Sequence, residues 1–203
     1  MKVSSISKFV EISGVRFGSL CTLIRLYGCN CKCSYCDYRY ACEGDDYDEL
    51  SWMDILQIVS EFGLKRVTVT GGEPLIHKNV IKLLQALKLG GYEVHVETNG
   101  TVNLEILAES KVLSSTIITM DWKSVTSGMS DKMLVSNLHY LTERDALKFV
   151  VSDIVDLDQM KFICEKFPLR CNIFVSPVHG TMKTTNIVSY LVENDLEDIR
   201  LQL

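Results

Sequence analysis

Short runs rich in β-branched and apolar residues recur along this chain, each followed by about a dozen residues of helical periodicity. That beat is the mark of a parallel sheet built from βα units, and it argues against all-α and all-β architectures. Strands are predicted at Thr22–Tyr27, Arg66–Thr70, Glu93–Thr98, Thr116–Asp121, Leu147–Val151, Asn172–Ser176 and Ile199–Leu203. Several read as apolar throughout, as strands covered on both faces do. Helices are predicted from the Ser51/Asp54 capping box through Phe62, and over Lys78–Leu89, Asp131–Leu141, Asp156–Phe167 and Thr185–Asn194, with a shorter one at Leu104–Ser110. The expectation is an α/β fold, an open or partial (β/α) barrel of about six βα units and a terminal strand. A doubly wound sheet has the same periodicity and stays open as the alternative.

The 203 residues contain three prolines and no low-complexity linker, so a single domain spanning 1–203 is expected. No apolar run approaches the ~18–20 residues of a membrane span, and Met1-Lys2-Val3-Ser4-Ser5 lacks the apolar core of a signal peptide. A soluble cytoplasmic protein is therefore expected, with no membrane partner. The net charge of −5 and the absence of a basic stripe argue against nucleic acid as a partner.

Polar motifs follow directly on the predicted strands: Cys29–Asp37 after the first, Gly71-Gly72-Glu73-Pro74 after the second, Asn99-Gly100 after the third, Asp121-Trp122-Lys123 after the fourth, and Pro177-Val178-His179-Gly180 after the sixth. In parallel βα folds the carboxyl ends of the strands carry the active site. The first motif places four of the eight cysteines, Cys29, Cys31, Cys33 and Cys36, within eight residues. In a reducing compartment such a cluster reads as metal ligation, whereas Cys21, Cys164 and Cys171 sit among apolar neighbours as core residues. Read as C-x3-C-x2-C, Cys29, Cys33 and Cys36 can hold three irons of a 4Fe-4S cube and leave the fourth open. Structural zinc with Cys31 or Cys42 as a further ligand is the alternative from the cysteines alone.

Cys29-x3-Cys33-x2-Cys36 followed by Thr70-Gly71-Gly72-Glu73-Pro74 resembles the radical S-adenosylmethionine superfamily. More narrowly, Ile24–Asn30, Cys33–Asp37, Thr98-Asn99-Gly100 and the closing Leu201-Gln202-Leu203 resemble the 7-carboxy-7-deazaguanine synthase family over nearly the whole chain. The resemblance implies a lyase of queuosine and deazapurine biosynthesis that rearranges 6-carboxy-5,6,7,8-tetrahydropterin to 7-carboxy-7-deazaguanine with loss of ammonia. It also implies a partial βα barrel, a homodimer, a 4Fe-4S cluster, S-adenosylmethionine and a magnesium ion. The radical would come from the cofactor, with no side chain acting as catalytic acid or base. With cysteines for one such cluster, the chain would take its electron from flavodoxin or ferredoxin, docked near Lys32, Tyr38, Arg39 and Tyr40.

Carried over by position, the resemblance implies that Cys29, Cys33 and Cys36 bind the cluster, and that Tyr35, Cys36, Asp37, Gly72, Asp121, Trp122 and Lys123 meet S-adenosylmethionine. Val10, Glu11, Ile12, Arg25 and Thr70 fall at the substrate positions, with Arg25 suited to a carboxylate. Tyr38 stands where the family places the magnesium-binding Thr or Ser, and Glu11-Ile12-Ser13-Gly14 where it has Gln-Gly-Glu-Gly. Family members also run on past Leu-Gln-Leu, where this sequence stops at Leu203. A glycyl-radical-activating enzyme of the same superfamily and a non-catalytic iron–sulfur or zinc protein are the rival readings.

Overall fold

The computed structural model describes residues 1–203. Nine strands and five α-helices follow in order: β1 (Lys2–Val10), β2 (Leu20–Leu26), β3 (Asp48–Glu49), α1 (Trp52–Phe62), β4 (Arg66–Gly71), α2 (Val80–Leu89), β5 (Glu93–Thr98), α3 (Glu105–Glu109), β6 (Thr116–Trp122), β7 (Ala146–Val151), α4 (Ile154–Lys166), β8 (Asn172–Pro177), α5 (Thr184–Glu193) and β9 (Ile199–Leu201). They form one sheet in the order β3-β1-β2-β4-β5-β6-β7-β8-β9. From β2 to β9 every pairing is parallel, while β1 lies antiparallel between β2 and β3. The chain thus has an open sheet of the expected partial-barrel kind, with an N-terminal strand that the run of serines in Lys2–Val10 concealed.

The gap between the sheet's two ends is bridged by side chain and turn. Gly14 N–H donates to Gln202 Oε1 (3.0 Å), and Gln202 Nε2 donates back to the Gly14 carbonyl (3.4 Å). Gly14 lies inside the curved sheet: a Cβ there would stand 2.1 Å from Thr119 Oγ1, and its φ of +67° is left-handed. The turn after β1 therefore closes the floor of the barrel.

The strands alternate where continuous apolar runs were expected. On β4 and β5, Val67, Val69, Val94 and Val96 enter the core shared with Leu83, Leu84 and Leu87 of α2. Their neighbours Thr68, Thr70, His95 and Glu97 face the interior cavity or the network beneath it. Period two is the rule for a strand with one apolar and one polar face.

Local signals set the helix starts. Ser51 accepts from Asp54 N–H (3.1 Å) while Asp54 accepts from Ser51 N–H (2.8 Å), completing the capping box that opens α1. Asp153 caps α4 through Val155 and Asp156 N–H, so this helix starts before Asp156, whose buried carboxylate instead accepts from Thr126 and Ser152 N–H. The helix expected over Asp131–Leu141 is absent; two 3-10 turns, Ser130–Lys132 and Val135–Tyr140, take its place. Asn137 explains why: its amide accepts from Leu104 N–H and donates to the Gly100 and Val102 carbonyls, side-chain bonds that compete with helical ones.

Candidate active site

A cavity of about 230 Å³ opens at the carboxyl ends of the strands. The cysteine loop leaves β2 there and is pinned on both sides. Gly28 N–H donates to the Ala41 carbonyl (2.7 Å), and Glu73 N–H donates to the Gly28 carbonyl (2.9 Å). The two glycines after β4 make this approach possible: a Cβ on Gly71 would meet Leu26 O at 2.0 Å, and one on Gly72 would meet Gly28 O at 2.2 Å. Their first role is to let β4 lie against the root of the loop. Glu73 is fully buried, and its carboxylate accepts from Leu75 N–H, Thr98 Oγ1 and Asn99 N–H, tying the end of β4 to the end of β5. Burial lifts its pKa to about 7 despite those donors.

Beside the main cavity lies a smaller one of about 160 Å³, lined by Cys29, Cys31, Cys33, Cys36 and Cys42 with Lys32, Arg39 and Glu43. All eight cysteines are free. The thiols surround a space and do not converge on a single-ion position. This donor set fits a polynuclear iron–sulfur cluster better than a mononuclear zinc. Asn99 Nδ2 points at the Cys29 and Cys31 sulfurs (3.6 and 3.4 Å). Hydrogen bonding from the Cys31 side chain, with the Cys31 backbone and Asn99, holds the Cys29 thiol below its ordinary pKa, while the same contact raises that of Cys31.

Tyr35, Cys36, Asp37 and Gly72 all line the main cavity, as do Asp121 and Lys123. The Tyr35 hydroxyl bonds with Ser124 Oγ (2.9 Å). Burial works against the charge on Lys123, but Asp121 at 2.8 Å and nearby Cys33 raise its pKa, so the ammonium persists. Trp122 is different. Its ring is 3% exposed and packs against Phe149 in the core, so its side chain faces away from the cofactor position expected for it. Strand parity decides this, since Asp121 and Lys123 face the cavity on either side of it.

Arg25, 6% exposed, lies with its guanidinium 3.8 Å from the centre of the Tyr38 ring. The Tyr38 ring is held by a cation, and its neutral, bulky phenol oxygen suits a hard octahedral ion poorly. The residues here do not fit the magnesium expected at Tyr38. Thr70 Oγ1 donates to Glu97 (2.9 Å). Glu11 is buried, paired with Arg16 (3.0 Å) and His95 Nδ1 (2.8 Å), and His95 Nε2 reaches Thr119 Oγ1 (2.8 Å). Burial opposes the charge on Glu11, yet His95 and Arg16 hold its pKa below the ordinary value. Ile12 lines the cavity; Val10, 49% exposed, does not.

Two charged residues outside the expected set, Glu97 and Lys148, also line the cavity. Their signal was the alternation in Glu93-Val94-His95-Val96-Glu97 and in Leu147-Lys148-Phe149, polar residues on one face of each strand.

An open βα sheet carries a cysteine-rich loop at its carboxyl rim beside a chamber lined by charged residues, and the sequence model of the Radical SAM superfamily matches residues 23–134, which makes this a radical S-adenosylmethionine enzyme. The chain is 39% identical to 7-carboxy-7-deazaguanine synthase of Clostridium acetobutylicum, covering all of this chain and 94% of that protein. It is 35% identical to that of Methanospirillum hungatei, covering all of this chain and 82% of that protein. Among solved structures, QueE from Escherichia coli superposes with a TM-score of 0.77 at 20% identity, covering 98% of this chain and 92% of that one. Streptococcus suis SuiB bound to S-adenosylmethionine superposes with a TM-score of 0.59 at 13% identity, over 88% of this chain and 51% of that one. The chain belongs to the 7-carboxy-7-deazaguanine synthase family. As a radical S-adenosylmethionine lyase it uses a 4Fe-4S cluster and S-adenosylmethionine. No helix is long and apolar enough to cross a membrane.

Proposed function

We propose that this enzyme converts 6-carboxy-5,6,7,8-tetrahydropterin to 7-carboxy-7-deazaguanine with loss of ammonia. The observation that carries the reading is the pairing of opposite charges in one chamber: Arg25 fixed on Tyr38, and Glu97 held by Thr70. A guanidinium binds a carboxylate through two parallel N–H bonds, which suits the 6-carboxylate. A carboxylate accepts from the adjacent N–H groups of an aminopyrimidinone, which suits the other end of the pterin. Thr70 orients Glu97 rather than bonding the pterin itself. Glu11, already paired with Arg16 and His95, shapes the floor beneath the ligand.

Cys29, Cys33 and Cys36 are the proposed cluster ligands, and when bound the cluster and S-adenosylmethionine together supply a carbon-centred radical that can take and return a hydrogen atom. Asp121 and Lys123 offer opposite charges to the amino-acid part of the cofactor, and Gly72 brings backbone against it. The burial of Arg25, Glu11 and Cys33 limits water near the reacting carbon. The proposal includes a homodimer and a flavodoxin or ferredoxin donor, for which Lys32, Arg39 and Tyr40 stand exposed beside the cysteine cavity.

Anaerobic turnover with 6-carboxytetrahydropterin, dithionite and S-adenosylmethionine tests the reading. Deazaguanine product is expected. Formation of 5'-deoxyadenosine without that product would keep the enzyme class and reject the substrate.

A further inference from the structure

The two cavities meet at a wall made of thiols: Cys29, Cys31, Cys33, Cys36 and Cys42 are the residues that line both. A cluster seated there has three ligands from the loop motif, and two thiols remain. Cys31 is engaged, because its sulfur accepts the Asn99 amide (3.4 Å) and its backbone N–H donates to the Cys29 sulfur (3.4 Å). Cys42 enters from outside the motif. The 3-10 turn Arg39–Ala41 and the bond from Gly28 N–H to the Ala41 carbonyl fold it back over the loop. Its backbone N–H is held by the Arg39 carbonyl (2.9 Å), and the residue lines both cavities together with Cys29 and Cys36.

We propose that Cys42 is a fourth thiolate ligand of the cluster in the absence of S-adenosylmethionine, capping the iron that the motif leaves open. Four thiolates are the complete set for such a cluster. Cys42 comes from the short stretch between the motif and β3, so it can withdraw without breaking the three permanent bonds. The exchange is balanced. The bond from iron to the Cys42 sulfur breaks, the amino nitrogen and a carboxylate oxygen of the cofactor take its place, and the proton shed by the cofactor's ammonium protonates the departing thiolate. No electron is transferred. Cys42 would thereby protect the resting cluster and compete with the cofactor.

The test uses anaerobically loaded enzyme oxidised with ferricyanide and followed by electron paramagnetic resonance. Without S-adenosylmethionine, wild type is expected to keep its fourth iron, whereas Cys42→Ala loses it and shows a several-fold stronger 3Fe-4S signal. Cys31→Ala is expected to behave as wild type in this assay. Equal signals from wild type and Cys42→Ala, or a strong signal confined to Cys31→Ala, would overturn the proposal. Where Cys42→Ala fails to load, wild type alone decides. Mössbauer spectra with 57Fe in the fourth site should show thiolate-type iron that shifts to nitrogen- and oxygen-ligated iron on adding S-adenosylmethionine. A fourth iron already nitrogen- or oxygen-ligated before the cofactor arrives would reject Cys42 as its ligand. The readout is spectroscopic, so failure here leaves the pterin reading untouched.

Discussion

Arg25 stacks 3.8 Å over Tyr38, and the pair decides how this site can meet a carboxylate. If the Arg25 guanidinium meets the carboxylate without a divalent ion, turnover is expected to be unchanged by chelation or by added Mg2+, and Mn2+ resonance should show no protein-bound ion. Tyr38→Phe, which keeps the ring, should retain activity; activity lost on chelation and restored by Mg2+ would contradict this account. Opposite Arg25, Glu97→Gln should lower kcat/KM for the pterin by roughly one to two orders of magnitude, the worth of a charged hydrogen bond, with a smaller effect on uncoupled cofactor cleavage. Equal losses in both reactions would mean that Glu97 serves the fold. The gathering of Cys29, Cys33, Cys36 and Lys123 at one cavity was legible in the sequence, because loop spacing and placement after a strand are local facts. The sides on which Val10, Trp122 and Tyr38 lie were not, because facing is set by strand parity and by neighbours distant in sequence.

At the level of elements, the junction of β4 with the cysteine loop shapes the root of that loop. Gly72→Ala would drive a Cβ to within 2.2 Å of Gly28 O and 2.8 Å of the Cys29 Cβ. The expected outcome is a folded protein by circular dichroism with a markedly lower iron content; full iron loading would show that the loop yields easily. Glu73, in the same junction, sets a pH dependence. Its folded pKa is raised, so its contribution is complete below the ordinary carboxylate value and is lost as pH rises through about 7. Urea midpoints should therefore fall between about pH 5 and pH 8, and fall less in Glu73→Gln; a steeper fall in the variant would assign the slope to other groups. The capping box and βα order were readable from residue type and period, since both depend on neighbours within a few positions. The missing helix at Asp131–Leu141 was not, because Asn137 is recruited by backbone from residues 100–104.

Across the whole molecule, the open sheet depends on its floor, where Glu11, Arg16 and His95 form a buried polar network and Gly14 meets Gln202. Gln202→Ala should cost about 1–3 kcal/mol, the penalty for leaving buried donor and acceptor groups unpaired, measurable as a lower urea midpoint with the slope unchanged; no change would show that water replaces the amide. The sheet's general order was anticipated by sequence, but this closure was not, since no short-range pattern signals a pair 188 positions apart. That separation also bears on the order of folding. Contacts within Cys29–Cys42 close short loops at little entropic cost, whereas the Gly14–Gln202 seam must wait until the intervening strands have assembled. The thiol nest can therefore be in place before the floor of the barrel is closed. Pulse-labelled hydrogen exchange during refolding should show Gly28 protected before Gly14.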